Sequence, residues 1–201
     1  MNSKSSKRPF ILASASPRRR ALLRQVGLPF RVTASQVEET NRSGMEPHRH
    51  AAYWARVKAE EVSRRYPDDW VLGADTIVVL EGSILGKPAG AADAARMLSL
   101  LSGRSHEVIT GLCLLRERPP VREQLSVETK VLMKRLTPEE IQGYIATGEP
   151  MDKAGAYGIQ GIGGSLVERI EGSYSNVVGL PLCEAVELLR RHGVADPFRR
   201  S

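Results

Sequence analysis

A short apolar run, Phe10-Ile11-Leu12-Ala13, gives way within three residues to a helix start at Ser16-Pro17, and this strand-to-helix handover constrains the fold more than any other stretch of the chain. Ser16 suits the N-cap and Pro17 the first helical position, while Leu22, Leu23 and Val26, closed by Gly27, predict about three helical turns. The first turn carries Arg18, Arg19 and Arg20. There the macrodipole is already positive, and carboxylates would be the stabilising choice by roughly 0.3–1 kcal/mol each. A bound anion resolves the conflict: helix-start N–H groups, the Ser14 and Ser16 hydroxyls and two or three guanidinium forks match a phosphate chain. The competing reading is three solvated arginines on an exposed end.

The rest of the chain continues the alternation of strand and helix patterns expected of an α/β fold. Phe30–Ala34 reads as a short strand and about Pro47 to Tyr66 as a long helix stopped by Pro67. Trp70–Leu80 reads as a β-rich run interrupted at Gly73-Ala74-Asp75-Thr76, followed by a turn at Glu81-Gly82-Ser83, a short strand, and a helix over Ala91–Leu101. His106–Leu115 and Val121–Leu132 predict a hairpin across Arg118-Pro119-Pro120, and Thr137-Pro138-Glu139-Glu140 is a capping box. After the Gly-rich segment Gly155–Gly164 come a strand at Ser165–Ile170 and a last helix from Pro181 to His192. Residues 1–8 and 195–201 read as loose basic tails around one domain, 9–194.

The net charge of +6 raises the question of nucleic acid, but Lys4, Lys7 and Arg8 contribute +3 and Asp196, Arg199 and Arg200 contribute +1, which leaves +2 for the body. That balance argues against a continuous DNA or RNA footprint and for phosphates on a small ligand. Cys113 and Cys183 have neither disulfide-framework nor metal-ligand spacing and read as core residues. The N-terminal apolar run is far shorter than the ~7–15 residues of a signal h-region, and no stretch approaches the ~20 apolar residues of a membrane span, so a cytoplasmic protein is expected.

Asp75 is the leading candidate for chemistry, since a carboxylate amid Val71-Leu72 and Ile77-Val78-Val79-Leu80 needs a cation, a metal or a proton. The alternative is a turn or bulge aspartate bonded to local backbone. Glu38 and Glu39 lie in a polar loop, and a second carboxylate near Asp75 would help hold Mg²⁺ or Mn²⁺. Lys58 falls along or beside the apolar stripe of its helix, either directed at a ligand, snorkelling to solvent or paired with Glu61. Gly86-Lys87-Pro88 is not a P-loop, for the spacing and the hydroxyl are wrong, yet Lys87 at a rigid turn suits a phosphate. Gln160, between glycines, has an amide able to read a base edge or, equally, to bond the backbone of its own loop. His48, Arg49 and His50 lack metal-ligand spacing and read as a solvated face.

Together, Leu12-Ala13-Ser14-Ala15-Ser16-Pro17-Arg18-Arg19, Gly73-Ala74-Asp75-Thr76, Gly86-Lys87-Pro88 with Leu101-Ser102-Gly103, Gly148-Glu149-Pro150-Met151-Asp152-Lys153-Ala154-Gly155-Ala156-Tyr157-Gly158-Ile159-Gln160-Gly161 and the closing Gly172–Leu182 stretch resemble the Maf family of nucleoside triphosphate pyrophosphatases, historically linked to septum formation. The resemblance implies a two-lobed mixed-sheet α/β fold around a central cleft, similar to inosine triphosphate pyrophosphatases, often a homodimer. It implies hydrolysis of a nucleoside triphosphate to the monophosphate and pyrophosphate with a divalent cation. By motif, Asp75 is then the catalytic acidic residue and, with Glu39, a metal ligand. Lys58 and Lys87 serve the phosphates, and Ser14, Arg18 and Arg19 the phosphates or base. Arg18, Thr76 and Gln160 resemble the branch acting on dTTP and UTP. Alternatives are a 7-methyl-GTP or inosine triphosphate pyrophosphatase, or a nucleotide-binding regulator of septum formation that needs no turnover.

Overall fold

Strands β1 (Phe10–Leu12), β2 (Phe30–Val32), β3 (Val71–Leu80), β4 (Ser83–Leu85), β5 (Ser105–Arg116), β6 (Val121–Met133) and β7 (Val167–Glu171) join in one mixed sheet, in the order β2-β1-β3-β5-β6-β7 with β4 also on β3. The structure, a computed structural model, describes residues 8–38 and 44–199. β1 runs parallel to β2 and β3, and every other pairing is antiparallel. The helices are α1 (Pro17–Gln25), α2 (Pro47–Arg65), α3 (Ala91–Leu101), α4 (Pro138–Ala146), α5 (Tyr174–Val178) and α6 (Leu182–Arg191). The α/β expectation, the hairpin β5–β6 and the capping box of α4, in which Thr137 and Glu140 cap each other's backbone N–H, all hold.

Helix α2 covers one face of the sheet, and two glycines set how closely. A Cβ at Gly73 would lie 2.2 Å from the Ala55 carbonyl oxygen, and one at Gly111 2.3 Å from that of Ala51. This corrects the expected interruption at Gly73–Thr76. β3 is continuous there, paired with β5 from Val71 through Val79, so Asp75 is a strand residue and not a turn aspartate. Gly73 is there to admit a helix backbone, a demand that composition alone cannot distinguish from a bulge.

The opposite face carries two separate apolar clusters. One gathers Leu72, Ala74, Leu112 and Leu114 beneath α1 and α6. The other gathers Val78, Leu80 and Val108 beneath α3 and α4. Between them the edge of β3 has a notch: β1 pairs with β3 at Val71 and Leu72, β4 pairs with it at Val78–Leu80, and Gly73–Ile77 has β5 on one edge only. A cleft opens at that notch and divides the lobes.

Two further expectations are corrected. Cys183 is exposed while Cys113 is buried, because the buried stripe of α6 runs through Ala185, Val186, Leu188 and Leu189, and position 183 turns away from it. His50 is buried and accepts a hydrogen bond from Trp54 Nε1 at 3.3 Å, and His48 sits between Ser126 and Glu128 across the sheet, so neither belongs to a merely solvated face. Helix α5, too short for a periodic signal, went unforeseen. Among the described residues no helix is long and apolar enough to cross a membrane.

Candidate active site

The cleft, about 370 Å³, is lined by Ser14, Arg18, Arg19, Lys58, Asp75, Thr76, Lys87 and Gln160. Sequence reasoning had singled out all eight, and they come from β1–α1, α2, β3, the β4–α3 turn and the Gly-rich segment. Glu39 lies outside the described residues.

Successive residues of β3 point to opposite faces, and this separates Asp75 from Thr76. Asp75 faces α2, where Lys58 Nζ donates to Oδ1 at 2.7 Å, with both side chains buried. The Glu61 alternative for Lys58 fails because Glu61 pairs with Arg65 at 3.0 Å. The contact holds the buried carboxylate in one orientation beside a cation that offsets the cost of burial.

Thr76 faces the other way, into a network organised by Arg19. The Arg19 guanidinium donates to the Gly179 carbonyl at 2.7 Å, the Ala74 carbonyl at 2.9 Å, the Thr76 hydroxyl at 3.0 Å and the Ser14 hydroxyl at 3.1 Å. The Thr76 hydroxyl also meets Thr110 Oγ1 at 2.9 Å and the Gly179 carbonyl at 3.3 Å, which fills the capacity of one hydroxyl. The charge conflict at the start of α1 is thus resolved for Arg19 by protein carbonyls, where the sequence had suggested an anion. Ser16 caps α1 by accepting from Arg19 N at 3.4 Å, as expected.

Arg18, the neighbour of Arg19, remains at the cleft mouth and donates to Asp152 Oδ2 at 3.2 Å across the gap between the lobes. Lys87 is exposed at the cleft with no ion pair to any described residue, and Gln160 is exposed at the far wall with no hydrogen bond from its amide to any described residue.

Residues 9–192 match the family described as Maf-like protein. The chain belongs to the Maf-like family. Its curated relatives include the dTTP/UTP pyrophosphatase of Geotalea uraniireducens (strain Rf4), 54% identical over 95% of this chain and 98% of the relative. Two more with the same name come from Koribacter versatilis (strain Ellin345), 52% identical over 92% and 94%, and Geobacter sulfurreducens (strain ATCC 51573 / DSM 12127 / PCA), 55% identical over 91% and 96%.

In this Maf-like cleft the structure adds residues that the sequence had not singled out individually: Asp152, Lys153 and Tyr157. Burial alone would raise the Asp152 carboxyl, but the Lys153 hydrogen bond and the charges of Arg18 and Lys153 hold it below the usual range. Tyr157 is buried, which raises its phenol, and its hydroxyl meets His106 Nε2 at 2.7 Å. Burial pushes His106 down to about 4, so it stands neutral behind the cleft wall. The only available signal for these three was their place in the Gly148–Gly161 motif.

Among the described residues no cluster of three His, Cys, Asp or Glu side chains could hold a metal by itself. Asp75 still fits a hard divalent cation. Among the described residues its hydrogen bond is on Oδ1, which leaves Oδ2 as an oxygen donor, and Mg²⁺ near phosphates is commonly held by one or two carboxylates together with the phosphate oxygens.

Proposed function

We propose that this Maf-like chain hydrolyses dTTP and UTP to the monophosphate and pyrophosphate. The observation that carries the proposal is the buried Lys58–Asp75 pair lining the same cleft as Lys87 and Gln160, whose cation and amide have no partner among the described residues. The names of relatives about half identical over nearly full length support it.

In this reading a water molecule attacks the α-phosphorus, its bond to the bridging oxygen breaks, and pyrophosphate departs with the negative charge. Asp75, oriented by Lys58, takes the proton of the attacking water. Lys87 and Arg18 offset the triphosphate charge, Arg18 exchanging its contact with Asp152 for phosphate oxygens. Ser14, Arg19 and Thr76 act on specificity indirectly: the saturated Arg19 network fixes the wall against which the base lies. Gln160 reads the base, since its amide offers a donor and an acceptor to the acceptor-donor-acceptor edge of uracil or thymine. A divalent cation, Mg²⁺ or Mn²⁺, held by Asp75 and, in the same proposal, Glu39, would neutralise phosphate charge and acidify water.

Residues 9–194 are proposed to carry the activity, in the cytoplasm where nucleoside triphosphates are made and used. A homodimer is part of the proposal through the family resemblance, and sedimentation of the purified chain tests it. The substrate is tested by pyrophosphate release with Mg²⁺ or Mn²⁺ across dTTP, UTP, CTP, ITP, GTP and 7-methyl-GTP. Preference for dTTP and UTP is the expected result. Preference for a purine overturns the role of Gln160, and tight binding with no release from any nucleotide leaves a regulator that needs no turnover.

A further inference from the structure

Gln160 reaches the cleft from a segment that its own side chain does nothing to fix, so something else must hold it in place. Tyr157 and Ile159 anchor the approach to it by burial, and a carboxylate ties the backbone on either side of it. Glu149 accepts hydrogen bonds from Ile162 N and Gly163 N, both at 3.0 Å, and from the Tyr144 hydroxyl at 2.9 Å. The Tyr144 oxygen in turn accepts from Gly158 N at 3.3 Å. The backbone on both sides of Gln160 is therefore tied to one pair of side chains, two residues before it and two and three residues after it.

The fit leaves no slack. A Cβ at Gly161 would lie 2.7 Å from Glu149 Oε2, and one at Gly163 2.4 Å from the Tyr144 hydroxyl and 2.4 Å from the Gly158 carbonyl. Gly161 also has φ +71°, where a side chain would be strained. Three short 3-10 turns, Glu149–Asp152, Ala154–Ala156 and Gly161–Leu166, provide no long hydrogen-bond ladder that could do the same work.

We infer that Glu149, with Tyr144, is a positioning residue for base selectivity, setting where the Gln160 amide stands without touching substrate. The inference rests on the proposed reading of the base by Gln160. Its chemistry is specific: only an ionised or otherwise doubly accepting group serves two amides and a phenol at once, and Glu149→Gln presents an NH₂ to one of those donors.

The test is steady-state pyrophosphate release by the purified chain and its variants on dTTP, UTP, CTP and GTP. The quantity followed is the ratio of kcat/KM for the nucleotide the wild type prefers to that for the next best. Glu149→Gln should lower the ratio about tenfold, through KM more than kcat, because small displacements of a positioning group are costly. Tyr144→Phe, a milder change that guards against misfolding of the first variant, should lower it about threefold. Once Gln160→Ala has removed the reading group, adding Glu149→Gln should change the ratio no further. A ratio within twofold of wild type in both single variants, whatever happens to the melting temperature, overturns the inference. So does a full additional loss in the double variant, or a wild type with no base preference. A wild type that prefers a base other than thymine or uracil overturns the dTTP/UTP reading while the same variants still decide the role of Glu149.

Discussion

The two walls of the cleft are held by opposite chemistry. On the α1 wall a cation gathers oxygens: Arg19 draws the Ala74 and Gly179 carbonyls and the Ser14 and Thr76 hydroxyls onto one guanidinium. On the Gly-rich wall an anion gathers N–H groups: Glu149 accepts from the amides of Ile162 and Gly163. Each charge is spent on the protein, while its near neighbours in sequence, Arg18 and Asp152, meet across the cleft mouth where a triphosphate can displace the contact. A charged residue in a functional motif is thus as often a builder of the wall as a ligand-binding group, and the number of its protein partners tells which.

The largest expected effect comes from emptying the cationic wall. Arg19→Met should cost about 4 kcal/mol in urea unfolding, because two buried carbonyls and two hydroxyls lose their partner. A loss under about 1 kcal/mol would mean that water or relaxation replaces the network and that the wall is not built on Arg19. On the other side, behind the anionic wall, His106 provides a pH signature. Its folded value of about 4 lies below its ordinary 6.5, so the unfolded chain binds a proton that the folded chain refuses between those values. The stability associated with neutral His106 is therefore complete above pH 6.5 and declines as pH falls toward 4. The wild type should lose about 3 kcal/mol relative to His106→Gln over that range, and parallel stability curves for the two proteins would contradict it.

Smaller effects sharpen the contrast. Tyr144→Phe removes one donor to Glu149 and one acceptor for Gly158 N, and should cost about 1 kcal/mol in the same unfolding experiment. Asp152→Asn acts at the exposed mouth. It should change stability by no more than about 0.5 kcal/mol, yet lower KM for dTTP about threefold by releasing Arg18 and removing a negative charge from the phosphate path. A stability change larger than that of Tyr144→Phe would place Asp152 with the wall builders instead.

Much of the fold was legible because its signals are local. The strand-to-helix handover at Ser16-Pro17, the hairpin and the Thr137 capping box are each written in a few consecutive residues, and the structure reproduces them. Helix α5 was missed because it is too short for a periodic signal, and Cys183 because helix periodicity turns it outward; the failures at the cleft share another cause, dependence on a distant partner. Gly73 read as a break because the helix that needs it, through Ala55, lies elsewhere in the chain. Arg18 and Arg19 looked equivalent because only the position of β3 decides which of them turns inward. Glu149 offered no signal of its own, since its amide partners lie 13 and 14 residues further on. The members of the cleft could be named from motifs, but the division of labour among them depends on contacts that sequence does not print.

Asp75 is the residue proposed to do the chemistry at the notch of the sheet. The most direct measurement is pyrophosphate release from dTTP by Asp75→Asn, with circular dichroism confirming the wild-type fold. A loss of kcat of about 10²-fold or more is predicted, the scale of a general base or an electrostatic group. Turnover within tenfold of wild type would contradict the account and move the chemistry to another group in the cleft.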